Sequence, residues 1–186
     1  MKTSRLFDRF IEKSKLWLHR SSTLGFTTPL VKHFETYAPR PYVCEGGKLT
    51  IGYGHVMKAG DPKYLTEREA YSLLMSELRQ SYYPATVSAL DTENIDAYSL
   101  KSWELGALVS AVYNTGPAII TEGSWVRFWK QGDMKTAESR FYLWNKAGGK
   151  TQPGLVRRRM SEWQLFTTGT WENEPTGWRE MYERLK

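Results

Sequence analysis

The sequence predicts an α+β fold, mostly helical with one small β-hairpin sheet, and two features predict it. Apolar residues recur at helical spacing in several long, separated stretches, whereas strand-like alternation is confined to one segment beginning at Tyr42. Size is a third constraint. With 186 residues, 40% of them hydrophobic, and eight Trp, eleven Tyr and seven Phe, the chain can build one packed domain, or one domain with a small appendage. No internal repeat or low-complexity segment interrupts it.

Residues 4–20 place Leu6, Phe7, Phe10, Ile11, Trp17 and Leu18 at helical spacing, with bases on the other face. Such a helix either docks its apolar stripe on the main domain or lies in the interface of an anionic membrane or lipopolysaccharide layer. Ser21-Ser22-Thr23-Leu24-Gly25 reads as a connector. The chain therefore divides into an N-terminal amphipathic basic helix with its connector, residues 1–27, and a main domain, residues 28–186. Leu30, Val31 and Phe34 follow Pro29 as the end of a helical turn, and Pro39 and Pro41 keep that helix from continuing far past Glu35. From Tyr42 the chain alternates, turns at Gly46-Gly47 and returns as Lys48-Leu49-Thr50-Ile51.

Thr66-Glu67-Arg68-Glu69 has the pattern of a capping box. Ala70, Tyr71, Leu74, Met75 and Leu78 follow at helical spacing, in a helix predicted to end before Pro84. Trp103 to Tyr113 is apolar nearly all round, as a central buried helix should be. Asp133 is the predicted N-cap of a helix carrying Ala137, Phe141 and Trp144, with Gly148-Gly149 as its stop. A last helix carries Leu155, Val156, Met160, Trp163 and Phe166.

The formal net charge is +6, and the bases cluster: nine Lys/Arg against two acids lie between Arg127 and Arg159, and six against two in residues 1–30. A basic face suits an anionic partner or is simply solvated surface, and charge alone does not choose. One cysteine excludes an intramolecular disulfide. No run approaches the ~18 apolar residues of a membrane span, and the first residues, broken by Arg5, Asp8, Arg9, Glu12 and Lys13, lack the apolar core of a secretory signal.

The most telling segment is FETYAPRPYVCEGGKLTIGYGH, residues 34–55. A hairpin folded back on a helix end can bring Cys44 and Thr50 beside Glu35 and so assemble a cleft from one contiguous stretch. Its glycines, Gly52 and Gly54, are not a nucleotide loop, because no GKS or GKT sequence follows. The histidines His19, His33 and His55 show no metal-ligand spacing, so no metal is expected, and His55 is expected to pin the hairpin through a hydrogen bond.

Glu35, eight residues, Cys44, five residues and Thr50 resemble the catalytic triad of glycoside hydrolase family 24, the phage lysozymes, in which the middle position is Asp or Cys. The TIGYGH run is similar to that family as well. So are Leu65-Thr66 to Leu78, ALVSAVYNTG (107–116), WNKAGG (144–149) and PGLVRRRMSEWQLF (153–166). Together they cover roughly residues 28–170, and separated motifs in the right order are far more specific than any one of them.

The resemblance implies a lysozyme-like fold with a long inter-lobe helix beginning at Thr66. It also implies an endolysin that hydrolyses the β-1,4 bond between N-acetylmuramic acid and N-acetylglucosamine with inversion, needing no cofactor. Release from the host bacterial cytoplasm to periplasmic peptidoglycan would require a holin. The resemblance further implies Glu35 as proton donor, an arginine beside it (Arg158 in the Arg157-Arg158-Arg159 run), and Tyr113 and Asn114 at the cleft, with Ser124 in a nearby loop. Tyr113 is equally suited to core packing.

A glutamate that donates a proton near neutral pH needs a partly apolar site, which Phe34 and Tyr37 are placed to supply, while an arginine partner acts the other way. A thiol with an ordinary pKa of roughly 8.5 is a poor substitute for a carboxylate base. Cys44 and Thr50 are therefore expected to orient water rather than carry thiolate chemistry. Cys44→Ser should keep much of the activity in a peptidoglycan-clearing assay, and a total loss would mean that the thiolate matters. Glu45, on the opposite strand face, reads as surface.

Four other functions compete with hydrolysis. A lytic transglycosylase needs no water-positioning pair, so the intact Cys44–Thr50 spacing disfavours it. A non-catalytic wall-binding module would have no use for Glu35. A cationic membrane-active protein would kill through residues 1–20 without Glu35. Nucleic-acid binding ranks last, because the basic stretch carries no recognised motif.

Overall fold

A 34-residue helix, α1 (Lys2–Glu35), forms the spine of the structure, a computed structural model that describes residues 2–44 and 47–186, with side chains from Ser14 onward. The readings that concern the side chains of Leu6, Phe7, Phe10 and Ile11, and those at Glu45 and Gly46, lie outside the described residues. The expected connector at Ser21–Gly25 is helical instead. Gly25 weakens a helix by about 1 kcal/mol, but Thr23, Leu24, Thr27, Leu30 and Val31 are buried around it, and burial of that face overrides the local preference.

The partner of that face is α4 (Ser102–Thr115), whose residues Leu105–Val112 are buried without a break. Gly106 lets the two backbones approach. A Cβ there would stand 3.0 Å from the Thr23 carbonyl oxygen, and Thr27 Oγ1 donates to the Gly106 carbonyl at 3.0 Å. This crossing fixes where the last turn of α1 points, and Glu35 is its final residue.

After α1 come β1 (Ala38–Val43), β2 (Leu49–Gly52) and β3 (His55–Val56), an antiparallel sheet in the order β1-β2-β3 with a bulge between Ala38 and Tyr42. The hairpin is thus one strand larger than the sequence indicated. Next is α2 (Glu67–Glu77), opened by the predicted capping box, in which Thr66 and Glu69 satisfy each other's backbone N–H groups.

The helix does not stop before Pro84. A π-helical turn (Leu78–Tyr82) leads into α3 (Tyr83–Thr92), with Pro84 in its first turn. The Tyr83 N–H bonds five residues back, to the Leu78 carbonyl. The widened turn admits the proline ring where an ordinary α-turn would clash with it.

Short helices α5 (Ala118–Thr121) and α6 (Ser124–Lys130) precede α7 (Met134–Phe141), capped by Asp133 through the Thr136 N–H at 3.1 Å. Gly148-Gly149 is not a helix stop. Both residues have positive φ, 57° and 77°, and turn a second hairpin, β4 (Lys146–Ala147) and β5 (Lys150–Thr151), leaving Trp144 outside α7. Then α8 (Pro153–Thr168) lies against α4, and α9 (Trp178–Leu185) follows. Trp125 of α6 is fully buried among Trp129, Phe141, Trp163 and Phe166, at ring-centroid distances of 5.3–6.4 Å. The architecture is the expected α+β arrangement.

Candidate active site

Glu35 ends α1 because Thr36, at φ 52°, takes the left-handed conformation and swings the chain into β1. A β-branched residue rarely adopts it, so the sharp exit from the helix is a constrained feature of this corner. The Glu35 side chain is 19% exposed, and its Oε1 accepts from Arg158 Nη1 at 2.5 Å. Arg158 is itself buried on α8. Burial works against its charge, but Glu35 and Glu162 outweigh that and hold its pKa above the ordinary value. The Phe34 ring lies under the guanidinium of Arg158 and also that of Arg157, each 5.6 Å from its centroid.

On the sheet side the β2–β3 turn closes on the carboxylate. Gly54 has φ 87°, and a Cβ there would stand 2.8 Å from Glu35 Oε2 and 3.1 Å from Tyr113 Oη. Only glycine lets the backbone come this near, which is the physical content of the second glycine in TIGYGH. Tyr113 ties α4 to the same turn by donating its hydroxyl to the Tyr53 carbonyl at 2.5 Å. Burial first, then the negative charges of Glu35 and Glu77, raise the Tyr113 pKa, so its hydroxyl stays a donor. Tyr82 stacks at a tilt on Tyr113, centroids 4.5 Å apart.

Cys44 directly follows β1 and is half-buried, its N–H bonded to the Lys48 carbonyl at 3.0 Å. Thr50 is buried in β2 opposite Tyr42, with its hydroxyl donated to the Lys48 carbonyl at 3.0 Å. Tyr42 connects the two sides of this corner: burial, then Glu35, then Cys44 raise its pKa. Tyr37, expected to wall Glu35, instead donates to the Leu65 carbonyl and stands 5.8 Å from the Tyr53 ring.

Asn114 is half-buried, and its Oδ1 accepts from Arg159 Nη2 at 2.9 Å. Ser124, expected in a loop, is the exposed first residue of α6, and no hydrogen bond among the described residues joins it to Glu35 or Arg158. The structure thus brings Glu35, Arg158 and Tyr113 together. Sequence reasoning missed Glu162, which has no exposed surface. It pairs with Arg158 and Arg159 four and three residues before it on α8. That helical spacing was the available signal.

His55 pins the sheet to α2. Its Nδ1 lies 2.8 Å from Glu77 Oε1 and its Nε2 2.9 Å from Asp61 Oδ2. Burial alone would lower its pKa, but the bonds to Asp61 and Glu77 outweigh burial, and the net shift is upward from 6.5. The stabilisation is therefore complete below the unfolded value and is lost as pH rises through the higher folded one. The thermal midpoint should fall as pH rises above the ordinary histidine range of about 6.5, and His55→Gln should flatten that slope. An unchanged slope in the variant would contradict the clamp.

Among the described residues, no group of three His, Cys, Asp or Glu could hold a metal ion. A groove of about 650 Å³ between α1 and α2 is lined by Leu24, Thr28, Tyr71 and Met75 among others, and none of the expected site residues lines it.

The chain matches the family model described as "Phage lysozyme" over residues 32–162. It is 32% identical over 151 residues to the endolysin of Bacillus phage PZA, covering 80% of this chain and 56% of that protein. Similarity to the endolysin of Acyrthosiphon pisum secondary endosymbiont phage 1 is 30% over 141 residues, 74% of this chain and 92% of that one. The chain thus spans just over half the length of the PZA protein and of its counterpart from Bacillus phage B103, 56% and 53%. Among solved structures, the muramidase domain of SpmX from Asticaccaulis excentricus superposes with a TM-score of 0.61 at 27% identity, over 75% of this chain and 93% of that one. The endolysin from Escherichia coli O157:H7 phage FAHEc1 superposes at 0.62 and 23% identity, over 79% and 94%; it shares the fold.

Proposed function

Because the chain belongs to the phage lysozyme family, we propose that it is a muramidase of the endolysin type, cleaving the β-1,4 bond between N-acetylmuramic acid and N-acetylglucosamine in peptidoglycan. The observation that carries this reading is Glu35: one carboxylate at a helix end, paired to Arg158 and closed over by the Gly54 turn. In the proposed reaction the Glu35 carboxyl gives its proton to the glycosidic oxygen as the C1–O bond breaks. A water held near Cys44 and Thr50 attacks C1 from the opposite face, inverting the configuration. Its spare proton leaves to solvent, and Glu35 regains its own from solvent. Tyr113 and Asn114 border the saccharide cleft. Clearing of purified peptidoglycan, with identification of the new chain ends, tests this reading. No new ends would defeat it, and 1,6-anhydro ends alone would move it to transglycosylation.

The proposed route is synthesis in the host cytoplasm, passage by way of a holin, and action on periplasmic peptidoglycan. One surface feature favours a second contact. Leu16, Trp17 and Leu18 are 37%, 59% and 59% exposed, beside Lys15 and Arg20 in the first half of α1. Such a segment fits an anionic lipid or lipopolysaccharide surface. Sedimentation with anionic vesicles, and not with zwitterionic ones, is the expected result; no sedimentation with either removes the contact.

A further inference from the structure

The geometry points to Glu162 as a positioning residue that sets how strongly Arg158 acts on the Glu35 proton donor and, through Arg159, holds Asn114 at the cleft. This assignment rests on the muramidase reading.

The Glu162 carboxylate is wholly enclosed between α8 and α4. Its Oε1 accepts from Arg158 Nε at 3.0 Å, from Ser110 Oγ at 2.8 Å and from Arg159 Nη2 at 3.1 Å, and its Oε2 lies 2.7 Å from Arg159 Nε. Both arginines also reach the cleft. Arg158 Nη1 donates to Glu35, and Arg159 Nη2, besides its contact with Glu162, donates to Asn114 Oδ1 at 2.9 Å. Guanidinium planes are rigid, so fixing the Nε side of each on Glu162 fixes where its remaining N–H groups point. A buried charge is tolerated only when paired, and two cations with one enclosed carboxylate make a set that Glu35 completes.

The state that donates a proton is the one in which Glu35 is neutral. Glu162 then faces two guanidinium cations alone. The described groups of other elements that act on Glu35 are Arg158 and, farther off, Arg159 on α8, and the phenols of Tyr113 on α4, Tyr82 on the π turn and Tyr42 on β1, with Glu77 of α2 acting on Tyr113 and Tyr82. Around Glu162 they are Arg158, Arg159 and Ser110. The net positive charge beside Glu35 is therefore governed by Glu162. Remove its charge and both cations stand uncompensated beside the donor; remove Arg159 and Glu162 serves Arg158 alone.

The test is the pH–rate profile of peptidoglycan hydrolysis for wild type, Glu162→Gln and Arg159→Gln, with circular dichroism to confirm folding. In Glu162→Gln the alkaline limb of activity should move down by about one pH unit, and in Arg159→Gln it should move up by about half a unit, with KM raised as Asn114 loses its anchor. Opposite shifts from two variants of one ion-pair cluster are not produced by lost stability, which lowers the whole profile without moving it. A folded Glu162→Gln whose alkaline limb is unmoved overturns the assignment. If that variant does not fold, Arg159→Gln decides: an upward shift supports the assignment and an unmoved limb overturns it. A wild type with no hydrolysis at any pH overturns the muramidase reading, and this assignment with it.

Discussion

Glu35→Gln is expected to lower peptidoglycan hydrolysis by about a thousandfold while leaving the fold intact. The amide matches the carboxylate in size, and its oxygen can still accept from Arg158 Nη1, the contact made at 2.5 Å. It has no acidic proton to give, so the glycosidic oxygen must leave unprotonated. Arg158 keeps Glu162 at 3.0 Å, so the substitution leaves it a carboxylate partner, the one it also has when Glu35 is protonated. Circular dichroism and thermal midpoint should therefore change little beside the rate. A folded variant that clears peptidoglycan as fast as wild type would remove Glu35 from the chemistry and leave the exposed Leu16–Leu18 segment as the leading functional feature.

Gly54→Ala should be nearly as severe for a different reason. A side chain at φ 87° is strained, and its Cβ would stand 2.8 Å from the Glu35 carboxylate and 3.1 Å from the Tyr113 hydroxyl. The turn must retreat, or the carboxylate must swing from Arg158. We expect a stability loss of about 1–3 kcal/mol and a fall in rate of about a hundredfold, since small misplacements of a reacting group are costly. Gly60→Ala is the control. Gly60 also has positive φ, 91°, but a Cβ there meets nothing within 4 Å. It should lose stability without a comparable loss of rate. Equal losses of rate in the two variants would mean that the Gly54 contact with Glu35 is incidental.

Much of this fold is written locally. The capping box at Thr66–Glu69, the Asp133 N-cap and the all-apolar face of 103–113 are short-range signals, and the elements they announce are present. What local pattern could not announce depends on distant partners. Ser21–Gly25 has the composition of a linker, yet it is helical because Thr23 and Leu24 are buried, with α4 closing on them at Gly106. Pro84 has the look of a helix stop, yet a π turn carries the chain through it. At the site, the helix end at Glu35 and the hairpin after it were legible in one 22-residue stretch, while the closeness of Gly54 to the Glu35 carboxylate depends on how the sheet folds back and was not. The buried Glu162 was not, because a glutamate on a helix is ordinarily solvated, and only the convergence of Ser110 with two arginines makes this one an enclosed anchor.

The most direct test of the central claim is to digest purified Gram-negative peptidoglycan with the wild-type chain and identify the new glycan ends. Hydrolysis with Glu35 as acid predicts reducing N-acetylmuramic acid ends, released by the wild type and absent with Glu35→Gln. New ends that are solely 1,6-anhydro, or no new ends at all, would contradict it.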